Sequence, residues 1–242
     1  MLNKLTKAFQ SDTIKFIGKN KEAQNAYTFT FTKPKMTYSA GQHFIFQLKH
    51  TQQDKRGSIR VFSVTSAPHE DVLAVTTRFF GNDSSSFKKS LMELKKGDTV
   101  KIIGPSFLSD TFKIKDYSRP QVFIVGGVGA TPLLSVLRDE LHNQRGTKID
   151  VFYANKDEDF IFGKEINSIA KKLKHVSLTK VVSPKRFSAS QLKKAVTPQS
   201  EIAISGTPGF VKYYKDLLVG EIGVSKKSIR NYKQKPTIGP GY

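Results

Sequence analysis

Residues 122–138, VFIVGGVGATPLLSVLR, restrict the fold of this chain more than any other stretch. An unbroken apolar run ends in Gly126, Gly127 and Gly129, and Pro132 suits the first turn of a following helix. A strand that is apolar at every position is buried on both faces, which is the habit of a parallel sheet covered by helices. A second strand-to-helix turn, AISGTPGFVKYYKDLL, follows at residues 203–218. Between and around them strand-like and helix-like segments alternate. Strands are expected at Gln121–Val125, Lys148–Tyr153, Val176–Val182 and Glu201–Ser205. Helices are expected over Pro132–Asn143, Lys164–Leu173, Ser190–Ala195 and from Gly209 to about Val219. This alternation predicts an α/β domain with a parallel sheet.

Upstream the pattern differs. Tyr27–Thr32, His43–Leu48, Ile59–Thr65, Val72–Phe80 and Thr99–Ile103 are short apolar or aromatic runs. Turn signals such as Ala40-Gly41, Arg56-Gly57-Ser58 and Lys96-Gly97-Asp98 separate them. Many short strands at this spacing predict a β-barrel or sandwich. One helix interrupts them, with Ser84, Ser85 and Ser86 as candidate caps and Phe87, Leu91 and Leu94 at helical spacing. The character changes at Tyr117-Ser118-Arg119-Pro120, so two domains are expected, 1–116 and 117–242.

The chain has 242 residues, enough for a real core in each half. It holds no cysteine, which removes disulfides, thiolate nucleophiles and Cys-held zinc or iron–sulfur centres from within the sequence. The five histidines lack metal-ligand spacing, and no metal is expected. No apolar stretch approaches the roughly 20 residues of a membrane span, and MLNKLTKAFQSD lacks the apolar core of a signal peptide. A cytoplasmic protein is expected. The formal charge is +20, concentrated in residues 164–242, where 16 basic residues face 4 acidic ones. Such an excess attracts acidic proteins, nucleic acid or the surface of an anionic membrane. The lysines are scattered over helices and turns rather than interleaved with aromatics in one tract, which argues against nucleic acid.

Glycines in the 126–129 turn would let backbone N–H groups approach a phosphate, the new helix offers its positive end, and Thr131 adds a hydroxyl. Pro132 stands where G-x-G-x-x-G needs its last glycine, so the turn alone also fits a plain strand-to-helix reversal. In an open parallel sheet ligands sit beyond the carboxyl ends of the strands, so the turns at 126–131 and 205–208 could line one crevice. Arg60, within Ile59–Thr65, is either a solvated cation or the partner of an anion covered by Phe62.

At this point the motifs carry a resemblance. Arg60-Val61-Phe62-Ser63 resembles the R-x-[YF]-[ST] flavin motif of the ferredoxin–NADP reductase superfamily, and Gly127–Pro132 its G-x-G-x-T-P pyridine-nucleotide motif. Gly41-Gln42 resembles its P-G-Q segment, Ser85–Lys88 falls where members place a flavin-pyrophosphate helix, and Ser205-Gly206-Thr207-Pro208 resembles C-G-x-P or S-G-x-P. The chain closes on Gly241-Tyr242, as do members ending in P-G-Y. The motifs run in order over nearly the whole chain.

The resemblance implies an antiparallel β-barrel holding FAD, followed by an α/β domain binding NADH or NADPH. Arg60 would pair with the flavin phosphates, Phe62 would lie on one face of the isoalloxazine, and Ser63 would bond near N5, with Val64 beside them. Thr77, Arg78, Ser85 and Ser86 would meet the rest of the dinucleotide. Alternation along a strand sends Phe62 and Ser63 to opposite faces, a geometric conflict if both touch one ring. Gly127, Gly129, Thr131 and Pro132 would hold the pyrophosphate of the pyridine nucleotide. Ser205 and Gly206 would lie by the nicotinamide, with serine where several members have cysteine. Tyr242 would cover the second flavin face. The implied activity is hydride transfer from NAD(P)H to flavin and electron release to a separate acceptor, with an acidic carrier such as ferredoxin or flavodoxin fitting the charge. A flavin reductase using flavin as a passing substrate is the alternative within the class. A non-catalytic module binding anions or nucleic acid is the alternative outside it.

Overall fold

The computed structural model describes residues 10–105 and 111–231. Six strands come first: β1 (Ser11–Ala23), β2 (Ala26–Thr32), β3 (His43–Gln47), β4 (Ile59–Ser63), β5 (Val72–Arg78) and β6 (Thr99–Ile103). They form one antiparallel sheet in the order β4-β3-β6-β1-β2-β5. The sheet curls until the chain just past β4 meets β5 in the bridge Val64↔Val75, which closes it into a barrel. Alternate residues face inward. Phe29, Phe31, Phe44, Phe46 and Phe62 fill the interior, and helix α1 (Ser86–Glu93), inserted between β5 and β6, adds Phe87 and Leu91 to the same core. Stacking so many rings in one small barrel relies on edge and tilted contacts, such as Phe31 on Phe46 at 5.7 Å.

The second sheet is parallel. Its strands are β7 (Gln121–Gly126), β8 (Ile149–Asn155), β9 (Val176–Val182), β10 (Glu201–Ser205) and β11 (Ile229–Asn231), ordered β11-β10-β7-β8-β9. The helices are α2 (Ala130–Asn143), α3 (Gly163–Lys172), α4 (Ala189–Ala195) and α5 (Pro208–Gly220). Two core clusters lie against this sheet: Phe123, Val125, Leu133, Leu137, Val151 and Tyr153 in one, Val122, Ile124, Phe152, Ile202, Ile204 and Leu218 in the other. Adjacent residues of β7 and β8 thus fall in different clusters, so both strands are buried on both faces. The two-domain architecture expected from the sequence is the one observed. Among the described residues no helix is long and apolar enough to cross a membrane.

Two strands lie outside the expected runs. In β1 only alternate residues, chiefly Ile14 and Phe16, are buried while lysines face out, so no apolar run announces it. β11 has three residues at a sheet edge. The expected division at 116–120 falls between β6 and β7. Phe112 and Ile114 pack into the core of the second sheet with Ala23, Ala26 and Ala40, and Phe112 stacks on Phe123 at 5.4 Å. A polar clasp lies beside this apolar contact: the buried Ser135 hydroxyl of α2 donates to Ser66 O at 2.7 Å and accepts from the Gly41 N–H at 3.4 Å. Arg138 spans from Glu165 at 2.7 Å to Glu70 at 3.4 Å, tying the barrel's Ala67–Asp71 loop to α2 and α3.

Candidate functional site

Two groups of residues approach one another where the barrel meets the carboxyl ends of β7 and β10. The first surrounds the start of α1. Burial alternates along β4, sending Ile59 and Val61 out and Arg60 and Phe62 in, with Ser63 partly exposed at the strand end. Arg60 and Phe62 therefore share a face, and Ser63 takes the other, as the period of two requires. Arg60 is only 7% exposed. Its Nη1 donates to the carbonyls of Arg56 (2.6 Å), Gly57 (3.2 Å) and Ile59 (2.5 Å), and its guanidinium lies 5.3 Å from the Phe87 ring centre. Its buried Nη2 has no hydrogen-bond partner.

Around Arg60 stand three more cations and one carboxylate. Burial lowers Arg60 itself from the usual arginine range. Lys88, whose Nζ donates to Arg78 O at 2.9 Å, is pushed down to about 8, first by burial and then by Arg60, Arg56 and Arg78. Burial raises the Asp54 carboxyl, but bonds from the Ser86 amide and from Arg56 outweigh it and bring it to about 2. A buried guanidinium with an orphaned Nη2 and a lysine whose charge is disfavoured by burial and by three arginines are costly unless a multiply charged anion joins them. The cluster fits the diphosphate of a dinucleotide. Ser85 caps α1 by accepting from Lys88 N at 3.3 Å, and Ser86 N–H donates to Asp54 Oδ2 at 3.0 Å.

Phe62 is 8% exposed, packed on Phe46 at 5.4 Å and Phe87 at 5.9 Å. A flavin lying against β4 would meet only the small part of this ring left uncovered. Val64 is fully buried, and its N–H donates to Gln42 O at 3.0 Å. Thr77 is buried in β5, opposite Tyr27. The Tyr242 expectation falls outside the described residues.

The second group is the glycine turn. Gly127–Gly129 form a 3-10 turn leading into α2, which starts at Ala130, two residues before the expected Pro132. Gly127 has φ +53°, a left-handed conformation that suits glycine. A Cβ on Gly129 would lie 2.5 Å from Ser205 O, so the turn sits directly on the end of β10. The two strand ends expected to line one crevice are thus brought into contact. Thr131 is buried and its hydroxyl donates to Val128 O at 2.7 Å, so it braces the turn rather than standing free. Pro132 is buried in the first turn of α2, and Ser205 is 4% exposed at the tip of β10.

Residues without a motif complete the crevice. Phe210 of α5 fills the gap between the two turns: a Cβ on Gly206 would be 2.6 Å from its ring, and one on Gly126 3.0 Å. Arg78 reaches across from the barrel, its Nη2 3.2 Å from a Cβ built on Gly127. Arg78 therefore serves both groups, its carbonyl taking Lys88 and its guanidinium the glycine turn. Asn155 Oδ1, at the end of β8, is buried without a partner 3.8 Å from the same built Cβ. A positive charge from the barrel over a glycine turn suits a phosphate.

Residues 123–215 match the family model of the oxidoreductase NAD-binding domain. Flavohemoprotein A of Dictyostelium discoideum is 26% identical over 242 residues, covering 90% of this chain and 59% of that protein. The chain thus spans less than two thirds of that relative. The Flavohem-like-FAD/NAD binding domain of nitric oxide dioxygenase from Vibrio cholerae O1 biovar El Tor superposes with a TM-score of 0.76 at 21% identity, covering 91% of this chain and 97% of that one. A ferredoxin NADP+ reductase from Neisseria gonorrhoeae superposes with a TM-score of 0.71 at 18% identity, covering 92% and 98%. At these identities the two structures share the fold.

Proposed function

We propose that the chain carries an FAD/NAD-binding module of the ferredoxin–NADP reductase superfamily and is an NAD(P)H-dependent flavoprotein oxidoreductase passing electrons to a separate acceptor. The observation that carries this reading is the buried Arg60 Nη2, partnerless at the start of α1 and flanked by Lys88 and Arg56. Arg60, Lys88 and the first turn of α1 hold the flavin diphosphate, and Ser63 offers its hydroxyl to the flavin ring. Gly127 and Gly129 admit the pyrophosphate of the pyridine nucleotide under the Arg78 guanidinium. Ser205 and Gly206 border the nicotinamide, and Phe210 supports both strand ends from behind. When bound, the flavin supplies the redox chemistry, accepting hydride from nicotinamide and yielding electrons onward. The protein aligns the two ligands and excludes water from between them. The +20 charge recruits an acidic redox carrier as acceptor.

Purified protein is expected to be yellow and to bleach on anaerobic addition of NADH or NADPH. A colourless preparation that takes up no FAD refutes the reading. Arg60→Ala is expected to weaken FAD binding at least tenfold, as loss of a charged hydrogen-bond donor does, while Lys193→Ala leaves it unchanged. Equal effects would return Arg60 to the ordinary basic surface.

A further inference from the structure

The donors at the start of α1 already have an anionic partner within the chain. Asp54 Oδ2 accepts from Ser86 N–H at 3.0 Å and from Arg56 Nε at 3.0 Å, and it lies 2.8 Å from Arg56 Nη2. Asp54 N–H is returned to Ser86 Oγ at 3.0 Å, which also meets His50 Nε2 at 2.9 Å. The same loop contributes the carbonyls of Arg56 and Gly57 that hold Arg60 Nη1. Loop and helix start are thus closed on each other by a carboxylate that uses amide and guanidinium donors suited equally to a phosphoryl oxygen. Asp54 carries the one negative charge among the groups that shift one another here, against Arg56, Arg60, Arg78 and Lys88.

We propose that Asp54 is an intramolecular competitor for the flavin diphosphate: carboxylate and diphosphate exchange on the Ser86 amide and Arg56, and the exchange lowers affinity for a phosphorylated flavin but not for flavin lacking phosphate. The inference rests on the flavin reading above and adds a residue that sets how firmly the dinucleotide is held. Its partner Arg56 is a shared donor, and the orphaned Arg60 Nη2 is the donor left for the diphosphate alone. Releasing the Asp54 carboxylate costs its bond from Ser86 N–H and its bonds from Arg56, a cost that falls only on a ligand that needs those donors.

The test titrates deflavinated wild type and Asp54→Asn with FAD and with riboflavin, following flavin fluorescence. Asparagine keeps the side-chain oxygen for Ser86 N–H and removes the charge. Asp54→Asn is expected to bind FAD roughly five- to tenfold tighter, with riboflavin unchanged and the gain shrinking as salt rises. Unchanged or weaker FAD affinity overturns the proposal, as does an equal change for riboflavin, which would make Asp54 a brace for the loop. If Asp54→Asn folds poorly, Asp54→Ser retains a capping oxygen without charge and carries the same expectations. If wild type binds neither flavin, the functional reading falls on its own. Calorimetry with inorganic pyrophosphate on both proteins then decides Asp54, tighter binding by Asp54→Asn supporting it and equal binding overturning it.

Discussion

Lys88 shows how much of the site rests on single side chains whose role a motif does not spell out: its segment was placed by resemblance, its charge environment was not. Its ammonium is held down to about 8 by burial and by three arginines. Folded and unfolded chains therefore differ between that value and the ordinary lysine value of about 10.5. In this window the unfolded chain binds the extra proton, so the Lys88 penalty is full below pH 8 and is relieved as pH rises towards 10.5. Lys88→Met is expected to stabilise deflavinated protein by about 3 kcal/mol at pH 7 and by nothing near pH 10.5, measured by urea unfolding across that range. The same variant should bind FAD less tightly, separating its stabilising effect from its functional cost. Above pH 8 FAD binding should take up a proton, visible as a buffer-dependent binding enthalpy. Arg60 was legible because it sits in a recognisable four-residue pattern. Asp54, Lys88, Arg78 and Asn155 were less so, because their meaning comes from what lies opposite them: Asp54 and Ser86 are 32 positions apart and touch only once the barrel forms.

Elements differ in how plainly the chain declares them. β7, β8 and β10 are legible because a strand buried on both faces is apolar over most of its length, not merely at alternate positions. Of the helix starts, the one after Ser84–Ser86 was read from its cap, Ser85 accepting from Lys88 N; the caps Thr207, accepting from Phe210 N, and Ser188, in a capping box with Gln191, set starts at Pro208 and Ala189, one residue before those expected. β1 escaped because about half its positions face solvent, Lys15, Lys19 and Lys21 among them. The glycine turn gives the element-scale prediction. Alanine at Gly129 would bring Cβ to 2.5 Å from Ser205 O and 2.7 Å from its carbonyl carbon, both backbone atoms that cannot rotate away. The end of β10 and the start of α2 must then separate. Gly129→Ala is expected to lower stability by about 2 kcal/mol and to slow bleaching by NAD(P)H, with FAD affinity unchanged. Normal bleaching in a folded Gly129→Ala protein would detach this turn from the pyridine nucleotide.

At the scale of the molecule, the two sheets act together only if their contact is firm. Ser135 is fully buried and serves both sides, donating to Ser66 O and accepting from Gly41 N–H. Ser135→Ala removes only the hydroxyl and leaves both backbone groups without this partner. It should cost about 2 kcal/mol in guanidinium unfolding and weaken coupling between the halves, splitting one transition into two; a variant that unfolds like wild type would show that the Phe112–Phe123 contact suffices alone. The sequence by itself determined the class of each half, the order of the halves and the glycine turns, because these follow from local periodicity and backbone conformation. It also determined that Arg60 and Phe62 share a strand face, since a strand alternates with period two. Tertiary structure alone decided that Phe62 points into a crowded core, that Arg78 crosses to the glycine turn, and that Asp54 meets the cations of α1. Those outcomes depend on which strands pair and on charges brought together from distant positions, and neither is written in any single stretch of the chain.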